Sequence, residues 1–238
     1  MLRKVKLCIR HPALRRYLVL LPGVMINRRP SATDLSDARR ALIEPVLSAW
    51  RAGRAAAGPA ITQPVHDRRE IVNAVLHVNR AGCAWHLLPH DFPPYQSVYG
   101  YCAAREKDGT TAAIRDLLRR RVREQAGRAG EPTAAILDAQ SVKTSGNPPE
   151  SSQGIDAGNK IKGRKRHIAT GTPGLLPAVL VTAAPVQDNP GGQALTRHLA
   201  AVQPDVTRIW AGAGYKRAVA GEGAAHGRQV EVHTKPAG

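Results

Sequence analysis

Asp138 ends a run of small and branched apolar residues, Ala134-Ala135-Ile136-Leu137, that reads as a short buried strand. A carboxylate there points into the crevice at the carboxyl end of an α/β sheet, where such sheets hold ligands. Its hard oxygens suit Mg²⁺; the alternative is a strand-end aspartate that opens a turn with Ser141. Further on, Asn159 to His167 reads NKIKGRKRH and places five cations, Lys160, Lys162, Arg164, Lys165 and Arg166, within seven residues. That density attracts phosphates, and each neutralised phosphate steepens the salt dependence of binding. A solvated edge strand guarded by lysines gives the same pattern. Because the cluster lies on a strand–hairpin unit beside Asp138, we read it as phosphate-contacting.

Other chemistries lack their residues. Cys8, Cys83 and Cys102 are widely spaced, with no C-x-x-C or C-x-x-H pair, so neither a disulfide framework nor a zinc site is predicted. His86 and His90 are four apart, but Pro89 between them keeps them off one helix face. The longest apolar run, Tyr17 to Leu21, is far short of a membrane span. A basic start followed by an apolar patch faintly mimics a signal peptide, yet Pro22-Gly23 interrupts it and no small-x-small cleavage site follows. The expectation is a cytoplasmic protein with no membrane partner and no small-molecule substrate.

The elements that must position Asp138 and the cation cluster fall in two stretches. Residues 31–127 read as helical. Ser36 caps a helix over Ala38–Ile43 that Pro45 breaks or kinks, and residues 51–65 read as a small-residue loop. Asp67 caps a second helix, with Glu70 completing a capping-box-like start, Ile71, Val72, Val75 and Leu76 on its apolar face, and Gly82 ending it. A short helix follows over Ser97–Lys107, and Asp108-Gly109 punctuates. A further helix from Thr110 places Ile114, Leu117, Leu118 and Val122 on one side and Arg115, Arg119, Arg120 and Arg123 on the other. This pattern fits a helix-turn-helix DNA-binding domain and equally an ordinary helical bundle with a solvated basic face.

After a linker at Gly127–Pro132 the period changes. Residues 164–170 and 175–184 flank Gly171-Thr172-Pro173-Gly174, a hairpin signal; Gln193–Val202 reads as a helix, and Thr207–Ala211 and Gln229–His233 as strands. The sum is an α/β domain over residues 128–238.

Charge points the same way. Lys and Arg number 35 against 18 Asp and Glu, a net of +17, while a hydrophobic content of 42% supports a buried core. The excess argues for a polyanion, nucleic acid first and an anionic membrane surface second; a GC-rich genome, inflating Arg, Ala and Gly together, accounts for it as well. Residues 1–30 hold eight basic and no acidic side chains. They read either as a flexible basic arm or, as we favour, as sequence from a start codon placed too early.

At this point the strings TAAILDAQSVKT (133–144), GIDAGNKIKGRKRH (154–167), LLPAVLVTAAPVQD (175–188) and IWAGAGY (209–215) together resemble the catalytic domain of bacterial insertion-sequence transposases of the DDE type. Upstream, ATDLSDARRALIEPVL (32–47) and REIVNAVLHVNRAGCAWHLLPHDFPPYQSVYGY (69–101) resemble the N-terminal domain of the same group. The resemblance covers roughly residues 31–238. It implies an RNase H-like mixed sheet with flanking helices, incomplete at its C-terminus, preceded by a small helix-turn-helix-like domain. Three carboxylates in that family hold two Mg²⁺ ions, one activating a water or 3′-hydroxyl and the other stabilising the leaving oxygen.

Asp138 matches the first carboxylate and is the expected catalytic residue and metal ligand. The second belongs to a motif resembling W-A-D-G-G-Y; here Trp210-Ala211-Gly212-Ala213-Gly214-Tyr215 puts Gly212 in its place. The third is a Glu on a later helix, before which this chain ends. Substitution for a lost acid by Asp156, Asp188 or Glu222 is not expected, since none ends the fourth strand. The resemblance thus implies DNA transposition, with this copy catalytically impaired; a non-catalytic DNA-binding remnant or a pseudogene product is the alternative. The implied partner is DNA, the terminal inverted repeats of the element, with room for a homodimer and nucleoid association. Lys143, Lys160, Lys162, Arg164, Lys165 and Arg166 are expected at phosphates, and Gln96, Ser97 and Tyr99 at groove contacts. A sheet lacking its last helix exposes apolar surface, so marginal stability and aggregation are expected.

Overall fold

The computed structural model describes residues 28–56, 66–144, 149–215 and 217–233. Residues 1–27, nearly all of the basic extension, and 57–65, most of the expected small-residue loop, lie outside the described residues. The chain divides into two compact units, one up to Ile114 and one from Arg115 onward.

The first unit is helical. Helix α1 runs Asp37–Ala56, straight through Pro45 and into the stretch expected to be loop. Pro45 removes one intrahelical N–H, but the buried face of Ile43 and Leu47 holds the turn on either side of it. Ser36 caps α1 as expected, its Oγ accepting the Arg39 amide at 3.3 Å. Helix α2, Arg68–Ala81, starts on Asp67, whose side chain accepts the Arg69 amide, and stops at Gly82 with φ 64°. The capping box does not close: Glu70 instead takes Arg28 at 2.8 Å and Asn73 at 3.0 Å. Asn73 is buried and accepts the Leu35 amide at 2.9 Å; of the expected face Ile71 is buried and Val75 packs against the core, while Ala74 and Val78 take the places expected of Val72 and Leu76.

A turn of 3₁₀ helix at Trp85–Leu87 leads to α3, Tyr95–Lys107. Val98 of α3 joins Leu88 and Phe92 against α2 in one core. Residues 82–94, with Pro89, Pro93 and Pro94, form turns and bends around that 3₁₀ turn. The tight junction is Asp108-Gly109, between α3 and α4, Thr110–Gln125. Asp108 caps α4 by accepting both the amide and the hydroxyl of Thr110. The expected sides of α4 hold only in part: Arg120 is exposed and Ile114, Leu117 and Leu118 are half-buried, but Arg119 and Arg123 are buried and Val122 is 47% exposed. The arginines are drawn in by partners, Arg119 by Glu131 at 2.6 Å and Arg123 by the Ala129 and Glu131 carbonyls.

The second unit is a mixed sheet of six strands: β1 (Ala134–Lys143), β2 (Gly154–Asp156), β3 (Ile161–Thr170), β4 (Ala178–Ala183), β5 (Arg208–Gly212) and β6 (Gln229–His233). Its order is β2-β3-β1-β5-β6, with β4 also paired to β3. β3 runs antiparallel to β1, while β5 and β6 run parallel to it. The hairpin forms as expected, Gly171 and Leu175 closing it at 2.8 Å with Gly174 at φ 76°. Helix α5 (Asp188–Val202) starts five residues earlier than expected, because Pro190 falls in its first turn, where no partner for an N–H is needed.

Alternation along each strand sends one set of side chains to each face. Ala135, Leu137, Ala169, Ile209 and Ala211 face α5 and α6 (Arg217–Ala225) and meet Leu195, Leu199 and Val219 in a closed core. Of the other set, Ile136, Ile155 and Val181 stand 41–61% exposed.

Candidate functional site

Asp138 does not end its strand. β1 continues five residues beyond it, because antiparallel pairing with β3 extends to Lys143. What ends at Asp138 is the parallel ladder: the last β1–β5 pair is Leu137 with Ala211. The next position on each strand is Asp138 and Gly212. Both lie on the exposed face, in step with Ile136 and Trp210. The sheet therefore brings the one expected carboxylate and the glycine side by side where the β1–β5 ladder ends. Asp138 Oδ1 accepts the Ala139 amide at 2.8 Å, leaving its other oxygen for solvent or a ligand.

The cation cluster is split by the pleat. Lys162, Arg164 and Arg166 share the exposed face of β3 with Asp138 of β1, Arg166 standing across from Gln140 and bonded to it at 2.5 Å. Lys162 reaches Glu150 at 3.3 Å and Arg164 the Ser152 hydroxyl at 2.7 Å, so both keep N–H groups for a second anion. Lys143 and Lys160 are exposed at the same end of the sheet, Lys160 in a left-handed turn with φ 54°. Lys165 does not join them. It faces the helices and sits between Asp156 and Asp188, 3.2 Å from each. Burial opposes its charge, but hydrogen bonds to both carboxylates outweigh burial and raise its pKa. Gln96, Ser97 and Tyr99 lie on α3, in the other unit, with Tyr99 exposed and edge-on to Trp85.

Beneath the sheet lies a polar layer that the sequence reading left unassigned. Asp156 accepts Ser141 Oγ, the Asn159 amide at 3.1 Å and Asn159 Nδ2 at 2.9 Å, and these donors, with Lys165, hold its carboxyl far below the usual range. His167 is fully buried and meets Thr182 at 3.1 Å; burial lowers its pKa. Tyr215 is buried against Gly192 and has no partner for its hydroxyl among the described residues. Burial raises its pKa, and the charges of Asp188 and Asp138 raise it further. Two glycines make this packing possible, since a Cβ at Gly191 would stand 2.1 Å from the His167 ring and one at Gly192 2.6 Å from Tyr215. The signal for this layer was legible only as Gly191-Gly192, a pair unusual inside a helix.

Divalent ions of the kind the resemblance implies need a cage of oxygens. Asp156 and Asp188 are occupied by Lys165, and Glu222 by Arg197 and His226. Among the described residues no group of three or more His, Cys, Asp or Glu could hold a metal ion. The residues present thus offer one carboxylate at the strand junction and do not fit a pair of ions. No helix among the described residues is long and apolar enough to cross a membrane.

Comparison with known families accounts for both units. Residues 35–115 match the model described as "Putative transposase of IS4/5 family (DUF4096)", and residues 129–230 match the transposase DDE domain. No curated protein and no solved structure matches the chain. The DDE domain is RNase H-like, which agrees with the sheet order found here, and its family generally uses divalent metal ions. With a helical domain and an RNase H-like domain matched in that order, the chain belongs to the insertion-sequence transposases of the DDE type.

Proposed function

We propose that this transposase grips the terminal inverted repeats of its element through the exposed face of the sheet, and that Asp138 is the metal-ligating carboxylate of that face. The observation that carries the reading is the alignment of Lys162, Arg164 and Arg166 on the face that also bears Asp138. A phosphodiester backbone laid along β3 meets a cation at every second residue, about 6.6–6.8 Å apart, close to the phosphate spacing of an extended strand. Lys143 and Lys160 extend the row, and Gln96, Ser97 and Tyr99 supply groove contacts from the helical unit. The site of action is the DNA itself, hence cytoplasmic and nucleoid-associated.

Mg²⁺ is the ion proposed for Asp138. Gly212 favours a second element of the reading: without a carboxylate beside Asp138, this copy binds DNA but cleaves it poorly. A mobility-shift titration against salt, using the ends of the encoding element, tests both parts. Expected is a steep slope of log affinity on log salt that falls by about one for each of Lys162→Gln, Arg164→Gln and Arg166→Gln, together with no nicking in Mg²⁺ or Mn²⁺. A slope unchanged in all three variants refutes the interface. Divalent-dependent nicking by the unaltered chain refutes the impairment.

A further inference from the structure

The helical unit holds a pocket of whose lining the preceding assignments use only Ser97. Because α1 continues to Ala56, it carries Trp50, Arg51 and Arg54 on its last turns. These face Arg68 at the start of α2 and Gly100 and Tyr101 on α3 around a cavity of about 370 Å³. The floor is aromatic, with the Trp50 and Tyr101 centroids 6.1 Å apart. The surroundings are cationic. Arg54 lies 5.3 Å from the Trp50 centroid, and Arg105 lies 4.9 Å from Trp50 and 5.5 Å from Tyr101.

Arg105 packs against both rings without lining the cavity. It is only 6% exposed, and its Nε and Nη2 groups are buried without a hydrogen-bond partner among the described residues. A buried guanidinium with idle donors is costly. Cation–π contact with two rings offsets part of that cost and holds the positive charge against the aromatic floor. The nearby acids are already engaged, Glu44 by Arg40 and Arg68, and Asp108 by Trp50 and Thr110. The pocket thus combines two aromatic rings, tilted 56° to one another, with a surplus of positive charge and room for one ring system.

We propose that this pocket binds one unpaired nucleotide of DNA, its base on the Trp50–Tyr101 floor and its phosphate among Arg51, Arg54 and Arg68. The proposal rests on the DNA-binding reading of the family and adds to it a strand-specific contact. A duplex hides its base faces by stacking, whereas a cavity of this size takes one base at a time. Arg54, exposed and lying over Trp50 in the free protein, gives up that place to the base and turns to the phosphate.

The test uses the full chain and three fluorescent probes: a short oligothymidylate, an abasic strand of equal length, and a duplex. Oligothymidylate is expected to bind about ten-fold more tightly than the abasic strand. Gly100→Leu fills the cavity from a position where an added Cβ meets nothing within 4 Å, and leucine favours the helix, so folding is kept. That variant is expected to erase the preference for oligothymidylate. Arg51→Gln and Arg54→Gln are expected to weaken both single strands and lower their salt slope by about 0.7 each. If the abasic strand binds as tightly as oligothymidylate, or if Gly100→Leu keeps the preference, the pocket is not a nucleotide site. Duplex binding that survives such a result leaves the DNA-binding reading standing; failure of all three probes on the unaltered chain removes both.

Discussion

Replacing Gly212 with Asp restores the carboxylate that the family motif places beside Asp138, and the structure sets what this does. Position 212 accepts a side chain freely: an added Cβ meets nothing within 4 Å and the backbone is not left-handed. Adjacent parallel strands lie about 4.8 Å apart. Asp138 and residue 212 are the next positions after the Leu137–Ala211 pair on one face, so their carboxylates stand about 5 Å apart. At that distance two charges repel by about 1 kcal/mol in a water-like dielectric and about 3 kcal/mol at an effective dielectric of 20. Both sites are exposed, which selects the lower figure. Losing glycine's freedom in the unfolded chain returns about 0.4–1 kcal/mol. The metal-free variant should therefore unfold within about 0.5 kcal/mol of the unaltered chain.

Mn²⁺ changes the balance, because an ion shared by two carboxylates removes their repulsion. At a hundred-fold excess over its dissociation constant it adds about 2.7 kcal/mol, equivalent to roughly 5–10 °C in Tm for a chain of this length. The assay is thermal unfolding of both chains across a Mn²⁺ titration, with Asp138→Asn/Gly212→Asp as control. A Tm gain in the Gly212→Asp chain no larger than in the unaltered chain, or equal in the control, refutes the placement of the two positions and the role given to Asp138.

Gly191→Ala should destabilise the second unit by about 1–3 kcal/mol in urea unfolding despite alanine's better helix propensity, since its Cβ would stand 2.1 Å from a fully buried imidazole. Lys165→Met should cost about 3 kcal/mol, because Asp156 loses its buried cation, yet leave the salt slope of DNA binding unchanged; Arg166→Gln should do the reverse, as denaturation and mobility-shift measurements will show. His167, whose pKa burial lowers from 6.5, is more readily protonated in the unfolded chain. Stability should be full above pH about 6.5 and decline as pH falls below it, a dependence absent in His167→Gln. Asp156, whose pKa is lowered from 3.8, contributes above that pH and loses its contribution only as pH falls further, so acid unfolding monitored by circular dichroism should show two separate windows.

Local pattern determined much of this protein. The apolar run before Asp138, the hairpin at Gly171–Gly174, the cap at Asp67 and the glycine at 212 are properties of neighbouring residues, and they carried the element types and the family. The sequence could not say which face each residue takes, because faces follow from pairing. Lys165 and Arg166 are adjacent in NKIKGRKRH, but the pleat sends one to a buried ion pair and the other to the open face. Arg119 and Arg123 read as a solvated basic face and were drawn inward by Glu131 and backbone carbonyls that only the folded chain brings near. Pro45 promised a break that tertiary burial of Ile43 and Leu47 overrode. The pocket of Trp50, Tyr101 and Arg105 depended on that same continuation of α1, and it joins residues about fifty positions apart. Short-range chemistry fixes what each segment can become. The long-range contacts that bury one side of it decide which side chains are left to meet DNA.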